Sequence, residues 1–397
     1  MVDNVQISRP GSEEELTDLI RILGRAFNSA PDSTDLYRRR IGDEHFRVAK
    51  RGNVVLGGLA LIPKGQFFGS RSVPMTGIAA VAVVPEARGQ SVATDLMGAV
   101  LKELHADGVA LSALYPASEP LYRKVGFEHA GGRYEMEIPP WLIGIRPDDV
   151  PIREIGADDP DDRMRVRAFY EHRALRNNGN LDRVQSSWDE ITETKQGAEV
   201  VGYLIGPDQD PSGYCFLRYE KAKDGFGYNV RVTDHAVMNG AAGRRMLALL
   251  ASHASQGHRA IVHVGPTDPL FALLPEQHYR LRLLDHWMLR IVHLPTALVA
   301  RGYGPGRNAE LHLEVTDELL TENSGRWVLT VEDGHGRVTP GGNGDLKLDA
   351  NALAPLYSGQ LGARTLEAMG WLQGEDEAVR QAASLFDGPA PWMNDSF

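Results

Sequence analysis

The sequence predicts mixed α/β sheets in tandem, followed by a small α+β domain. Three observations predict this. Helical and strand-like periodicities alternate through residues 1–145; the same order returns, in degenerate form, through residues 146–293; and residues 294–397 change character, with strands joined by Gly-rich turns. A chain of 397 residues, at about 100–200 residues per domain, fits two or three domains.

The first segment opens with a helix. Ser12 followed by Glu15 makes a capping-box pattern, and Leu16, Leu19, Ile20, Leu23 and Phe27 recur on one face. Strand-like runs over Phe46–Ala49 and Val54–Ile62 flank the turn Lys50-Arg51-Gly52-Asn53, and a third run covers Ser72–Val84. A second helix carries Val92, Leu96, Met97, Val100, Leu101 and Leu104 on one face. A buried strand over Val109–Tyr115, a short helix over Glu119–Lys124 and a strand over Tyr134–Ile138 complete the segment. The stretch Pro139–Asp162, with its prolines and its acidic Asp158-Asp159-Pro160-Asp161-Asp162 run, reads as a linker or inter-domain crossing.

The middle segment repeats the order. A helix over Arg163–Arg176 precedes strands over Val200–Ile205, Tyr214–Tyr219 and Val230–Val237. A helix over Arg244–His253, a strand over Ala260–Val264, a short helix over Pro269–Leu274 and a strand over Trp287–Val292 follow. In the last segment, strands are expected at Leu311–Val315, Trp327–Val331 and Asp345–Leu348, and helices at Ala350–Tyr357 and Asp376–Leu385. The chain then runs through an apolar, aromatic end, Pro389 to Phe397.

Composition narrows the function. The net charge of −11 argues against nucleic acid, which needs a basic footprint, and suits either solubility or a cationic small molecule. The single cysteine, Cys215, lies in an apolar strand-like run and reads as a buried, inert thiol; one cysteine also fits a cytoplasmic protein. The N-terminus lacks a signal-peptide pattern, and no stretch approaches the roughly 18 apolar residues of a membrane span. The histidines show no His-Glu-x-x-His pattern and there is no Cys-x-x-Cys pair, so no metal site is expected; His253, His258 and His263 read as surface residues.

One segment carries chemistry. Val81 to Pro85, Glu86-Ala87-Arg88-Gly89-Gln90-Ser91, then Val92-Ala93 reads as strand, tight turn, helix. A helix N-terminus presents unpaired N–H groups and partial positive charge, which suits a phosphate. Small residues at Gly89, Ser91 and Ala93 would admit a pyrophosphate to the backbone, and Arg88 adds a cation. Taken alone, this is also how an ordinary strand-to-helix turn with a surface arginine would look.

The turn resembles the pyrophosphate signature of the GNAT acetyltransferases, Arg/Gln-x-x-Gly-x-Gly/Ala, here Arg88-Gly89-Gln90-Ser91-Val92-Ala93 with Ser91 in place of the usual Gly. Serine keeps its N–H but tolerates a positive φ poorly. The resemblance extends along the chain to the enhanced-intracellular-survival (Eis) family. It is carried by Thr76–Val83 with the Arg88 turn, Ala117-Ser118-Glu119-Pro120-Leu121-Tyr122-Arg123-Lys124-Val125-Gly126-Phe127, Trp287–Pro295 leading to Ala300-Arg301-Gly302-Tyr303, and Leu346-Lys347-Leu348-Asp349 through Leu356-Tyr357-Ser358-Gly359.

That resemblance implies two GNAT-like domains, 1–145 and 146–293, a sterol-carrier-protein-like domain, 294–397, and a hexamer. It implies acetyl-CoA as co-substrate and an amine acceptor of aminoglycoside or lysine type. The backbone of Val81 and Val83 would pair with the pantetheine arm, and the N–H groups of Arg88, Gly89, Gln90, Ser91, Val92 and Ala93 would hold the pyrophosphate. Ser118 would contact the cofactor, Tyr122 would be the general acid, and the α-carboxylate of Phe397 would act as base. Phe27, Asp32 (in the loop after the first helix) and Asp395 are candidates for the acceptor pocket. The middle segment lacks the Arg-x-x-Gly turn and is expected to hold no cofactor. The alternative to an enzyme is a non-catalytic acetyl-CoA sensor, or a lipid- or partner-binding protein on the same scaffold.

Overall fold

The computed structural model describes residues 5–146, 149–156, 159–193, 197–222 and 226–396. The chain forms two compact units. Unit 1 comprises Met1–Gly131, Trp287–Asp387 and Ser396–Phe397; unit 2 comprises Gly132–His286 and Gly388–Asp395.

The elements in chain order begin with β1 (Gln6–Ser8), α1 (Glu13–Ala26), α2 (Pro31–Ile41), β2 (Phe46–Arg51), β3 (Val54–Phe68), β4 (Arg71–Val83), α3 (Val92–Ala106), β5 (Leu111–Leu114) and α4 (Glu119–Arg123). Next come β6 (Glu128–Ile138), β7 (Ile152–Glu154), α5 (Pro160–Leu175), β8 (Leu181–Asp182), α6 (Gln185–Thr192), β9 (Val200–Ile205), β10 (Gly213–Lys221), β11 (Tyr228–Val237), α7 (Gly240–Ala251), β12 (Gly257–Val264) and β13 (Arg280–Ile291). The last segment holds α8 (Leu294–Ala300), β14 (Ala309–Thr316), β15 (Gly325–Glu332), β16 (His335–Pro340), β17 (Leu346–Asp349), α9 (Ala350–Ser358), α10 (Ala363–Ala368), β18 (Leu372–Gly374) and α11 (Asp376–Phe386).

In unit 1 the first sheet runs β1-β2-β3-β4-β5, with the Trp287–Ile291 end of β13 beyond β5. α1 forms as its sequence suggests: the Ser12 side chain accepts from the Glu15 N–H, and Leu16, Leu19, Ile20 and Leu23 are buried. α2 is invisible to apolar periodicity because Thr34 is its one buried residue; ion pairs from Arg38 to Glu13 and Asp43 fasten it. The β3–β4 hairpin is long, paired from Phe68↔Arg71 to Gly57↔Val83, and is interrupted by a bulge where Ala80 takes φ +53°. β4 and β5 pair in parallel only from Met75↔Leu111 to Gly77↔Ala113. Beyond Gly77 the two strands part.

The second sheet of unit 1 runs β16-β15-β14-β17-β18, with β14 and β17 parallel. It joins the first sheet through polar and ring contacts. Arg290 on β13 places its guanidinium on both oxygens of Asp317 at 2.6 and 2.7 Å, and also donates to the Val125 and Ile291 carbonyls. Asn351 of α9 donates to the carbonyls of Arg123 and Phe127, and the Phe68 and Tyr357 rings meet edge-on at 5.3 Å. Arg301 is fully buried without a carboxylate. Its donors go to the carbonyls of Gly302, Tyr357, Leu385 and Phe386, and the rings of Tyr303, Tyr357 and Phe386 surround it.

Unit 2 holds the order β6-β12-β11-β10-β9-β7. The linker expected over 139–162 is corrected here, Pro147, Asp148, Ala157 and Asp158 lying outside the described residues. Ile143 is buried, β7 pairs with β9, and Asp162 is fully buried against Arg153 at 2.6 Å, which answers the charge without solvent. The surface reading of the histidines holds for His258 but not for His253, packed between the Tyr219 and Tyr228 rings, nor for His263, which burial pushes down to about 4. Cys215 is buried in β10, and burial pushes its thiol up to about 12. Trp392 and Met393 are buried too: Trp392 donates from Nε1 to Asn177 at 3.1 Å, and its carbonyl accepts from Asn180 at 2.8 Å.

Removing one partner of a buried ion pair strands the other charge. Arg290→Met should therefore lower the unfolding free energy by about 3–5 kcal/mol, and Arg290→Met with Asp317→Leu should recover part of that loss, both read from urea denaturation.

Candidate active site

The site is built where β4 parts from β5. The Val84 N–H donates to the Leu56 carbonyl on β3 at 2.8 Å. Strand alternation then turns the N–H and C=O groups of Val83 and Val81 to the opposite edge, which β5 no longer covers. An extended amide chain laid there would find donors and acceptors in strand register.

The connection over residues 84–91 follows. Pro85–Ala87 make a 3₁₀ turn, Gly89 takes φ +75° with open space where a Cβ would stand, and Ser91 sits at φ +60°, ψ +3°. Position 91 is therefore the left-handed position at which glycine is favoured, and serine occupies it under strain. No side chain caps α3, so the N–H groups of its first turn are presented with the helix dipole behind them. Arg88 and Gly89 are exposed at this turn, and Gln90 is anchored by donating to the Glu86 carbonyl at 2.9 Å.

The other wall comes from β5 and α4. Ser118 is the N-cap residue of α4 but its hydroxyl caps nothing, and it is exposed. Tyr122 is 4% exposed and packs in one cluster with Val92, Leu96, Val125 and Phe127, against which Val81 and Val83 also pack. The Phe127 ring meets it edge-on at 6.2 Å, and burial pushes the phenol up to about 12. One apolar cluster thus holds the β4 edge, the start of α3 and the tyrosine together. Gly126, at φ +86°, turns the chain just after α4; a Cβ there would strike the Arg290 guanidinium at 2.7–2.8 Å.

The whole chain aligns with solved structures. A GCN5-related N-acetyltransferase from Anabaena variabilis is 37% identical, with a TM-score of 0.94, over 99% of this chain and 100% of that one. The chain belongs to the GCN5-related N-acetyltransferases. A second GCN5-related N-acetyltransferase, from Kribbella flavida, is 29% identical over 100% of this chain and 99% of its own, with a TM-score of 0.85. The N-acetyltransferase Eis of Mycobacterium tuberculosis is 27% identical over 340 residues, which is 80% of this chain and 79% of that one. The acetyltransferase (GNAT) domain family matches residues 8–130 and again 179–291, and the sterol carrier protein domain family matches residues 294–394. The protein is thus an Eis-like N-acetyltransferase with tandem GNAT domains and a sterol-carrier-like domain.

Within this acetyltransferase, unit 1 brings Val81, Val83, Val92 and Tyr122 into one cluster, with the turn over 88–91 leading into α3 and Ser118 at the start of α4. The acceptor candidates fare differently. Phe27 is the C-cap of α1 and 52% exposed. Asp32 does not lie in a loop: it is in the first turn of α2, exposed, because Pro31 starts a helix there. Asp395 lies in unit 2, and its carboxylate accepts from Arg183 at 2.7 Å, so it is not a free anion. Phe397 lies outside the described residues. Arg290 and Asn351, which hold the segment around Tyr122, went unread in the sequence; a charged residue inside the apolar run Trp287–Val292 was the available signal.

Ser91→Gly should raise stability by about 0.5–1 kcal/mol by relieving the left-handed serine, while the acetyl-CoA Kd stays within about twofold, because the N–H is unchanged. Thermal melts with titration calorimetry check both.

Proposed function

We propose that unit 1 moves the acetyl group of acetyl-CoA to a primary amine, of an aminoglycoside-type polyamine or of a lysine side chain. The observation that carries this is the open β4 edge at Val81 and Val83 beside the uncapped start of α3. Together they offer amide partners for pantetheine and N–H groups for pyrophosphate. No group of His, Cys, Asp and Glu suited to a metal occurs among the described residues, and no described helix is long and apolar enough to cross a membrane.

The reaction follows from what the residues can do. The neutral amine attacks the thioester carbonyl, the C–S bond breaks, the amine loses a proton and the thiolate gains one. Tyr122, held near 12 by burial, stays protonated at every working pH. An ordinary thiol, near 8.5, is the stronger acid, so Tyr122 serves first as a hydrogen-bond donor that follows charge onto sulfur. The amine proton completes the balance. The family resemblance supplies the Phe397 α-carboxylate to receive or orient that ammonium, and it also supplies the hexamer, which native mass spectrometry tests directly. The acidic balance of the chain suits both acceptor classes.

Acetyl-CoA consumption over a panel of aminoglycosides and lysine-bearing peptides should show turnover with one class. Tyr122→Phe should lower kcat by about 10²–10³ with the KM for acetyl-CoA nearly constant. An equal loss in KM would mean that the hydroxyl only binds. The phenol's raised pKa also fixes the sign of the pH profile. The acid-side limb belongs to deprotonation of the amine and its base, and no alkaline loss should occur below about pH 10. One residue appended after Phe397 should cripple kcat and spare acetyl-CoA binding; unchanged kcat would remove the carboxylate from the mechanism.

A further inference from the structure

Unit 2 repeats the parting of strands and uses it differently. β11 and β12 pair in parallel from Tyr228↔Gly257 to Val232↔Val262, after which β11 runs on to Val237. The segment Thr267-Asp268-Pro269-Leu270-Phe271 after β12 stands where Ser118-Glu119-Pro120-Leu121-Tyr122 stands after β5. Two features separate the copies. Phe271 has no hydroxyl, and residues 238–239 alone connect β11 to α7, too few to build the phosphate turn that residues 84–91 make in unit 1.

Between the parted strands lies a cavity of about 430 Å³, within the range of small-molecule sites. Its third wall is the segment Pro389, Ala390 and Trp392. Its body is apolar, from Leu270, Leu273 and Trp392. Its charged groups are mainly cationic, and its amide oxygens are already engaged: Asn177 Oδ1 accepts from Trp392 and Asn239 Oδ1 from the Ala242 N–H. α7 begins at the cavity, and Asn239 caps only the Ala242 N–H, leaving the N–H groups of Gly240 and Ala241 to the helix dipole. Arg173 and Arg176 line it, while its one lining carboxylate, Asp268, already accepts from the Leu270 N–H. His235 lines it as well. That ring is 3% exposed, its Nδ1 has no hydrogen-bond partner, and burial with Arg173 beside it pushes it down to about 3, so it is neutral at pH 7. A buried ring nitrogen without a partner is costly unless something occupies the cavity and bonds to it.

We propose that this cavity of unit 2 binds a small organic anion with an apolar body, its carboxylate at the start of α7 near Arg176 and its body against Leu270, Leu273 and Trp392. It is a site separate from acetyl transfer, since the cavity has neither phosphate turn nor tyrosine.

Titration calorimetry on the full-length protein, with 4-phenylbutyrate as probe, tests this. Phenylbutyrate should bind, and its neutral amide should bind at least about tenfold weaker. Saturating coenzyme A should leave the affinity unchanged. Arg176→Gln, at an exposed position and outside the transfer machinery, should weaken binding about tenfold at unchanged acetyl turnover, and Leu273→Arg should abolish it. No heat with phenylbutyrate, equal affinity for the amide, displacement by coenzyme A, or binding that survives Arg176→Gln intact would each overturn the proposal. These outcomes do not bear on turnover in unit 1, which the amine panel tests by itself.

Discussion

The buried guanidinium of Arg290 is the contact on which unit 1 depends. It sits on β13, in the first sheet of unit 1. It donates to the Val125 carbonyl just past α4 and closes on both oxygens of Asp317, between β14 and β15. Asp317 in turn accepts from the N–H groups of Leu319 and Leu320 and from Asn323. A buried ion pair is costly to desolvate and endures where every remaining donor and acceptor is answered. Here they are, and Arg290 holds the carboxyl of Asp317 below the ordinary carboxylate range despite its burial. The same guanidinium packs against Gly126 so closely that no side chain fits, which sets the turn immediately after Tyr122. Through Asp317 and Asn351, the sterol-carrier-like domain therefore braces the segment that follows α4.

The two parted-strand clefts show how little separates the two copies of the fold. Both have a parallel pair that stops early, a helix aimed at the gap and a Pro-Leu-aromatic turn opposite. The length of the strand-to-helix connection decides whether several N–H groups converge on a phosphate. In unit 1, residues 84–91 provide that length, and Ser91 takes the left-handed conformation there although it is not glycine. In unit 2, the helix starts at once, and a buried ion cluster adjoins the cavity through Arg173. Asp234 there is held by Arg173, Arg183 and the Tyr214 hydroxyl, with Arg183 stacked on the Tyr170 ring at 3.7 Å. Arg183 reaches on to Asp395, so the ion cluster also anchors the C-terminal segment in unit 2.

Much of the fold was legible in the residues because period and burial coincide. α1 and α3 announce themselves by their apolar stripes, and β9 to β12 by β-branched runs with turn residues between. α2 was hidden because it is fastened by Arg38's ion pairs rather than by an apolar face. The residues 139–162 misled because proline and acid clusters suggest solvent, while Arg153 buries Asp162. The turn over residues 84–91 was legible because its signals are local: a strand end, small residues and a helix start within a few positions.

By itself, then, the sequence determined most of the element order, the tandem repetition, the strand–turn–helix over residues 81–93 and the short helix that carries Tyr122, since each is written in neighbouring residues. Only the tertiary structure decided which backbone edge lies open, how deeply Tyr122 is buried, that Arg290 braces it, and that Asp395 is spent on Arg183. Those properties arise from pairs distant in sequence, such as Gly77 with Ala113 or Arg290 with Asp317. Local propensity carries no record of such pairs; packing and the need to satisfy every buried charge choose them.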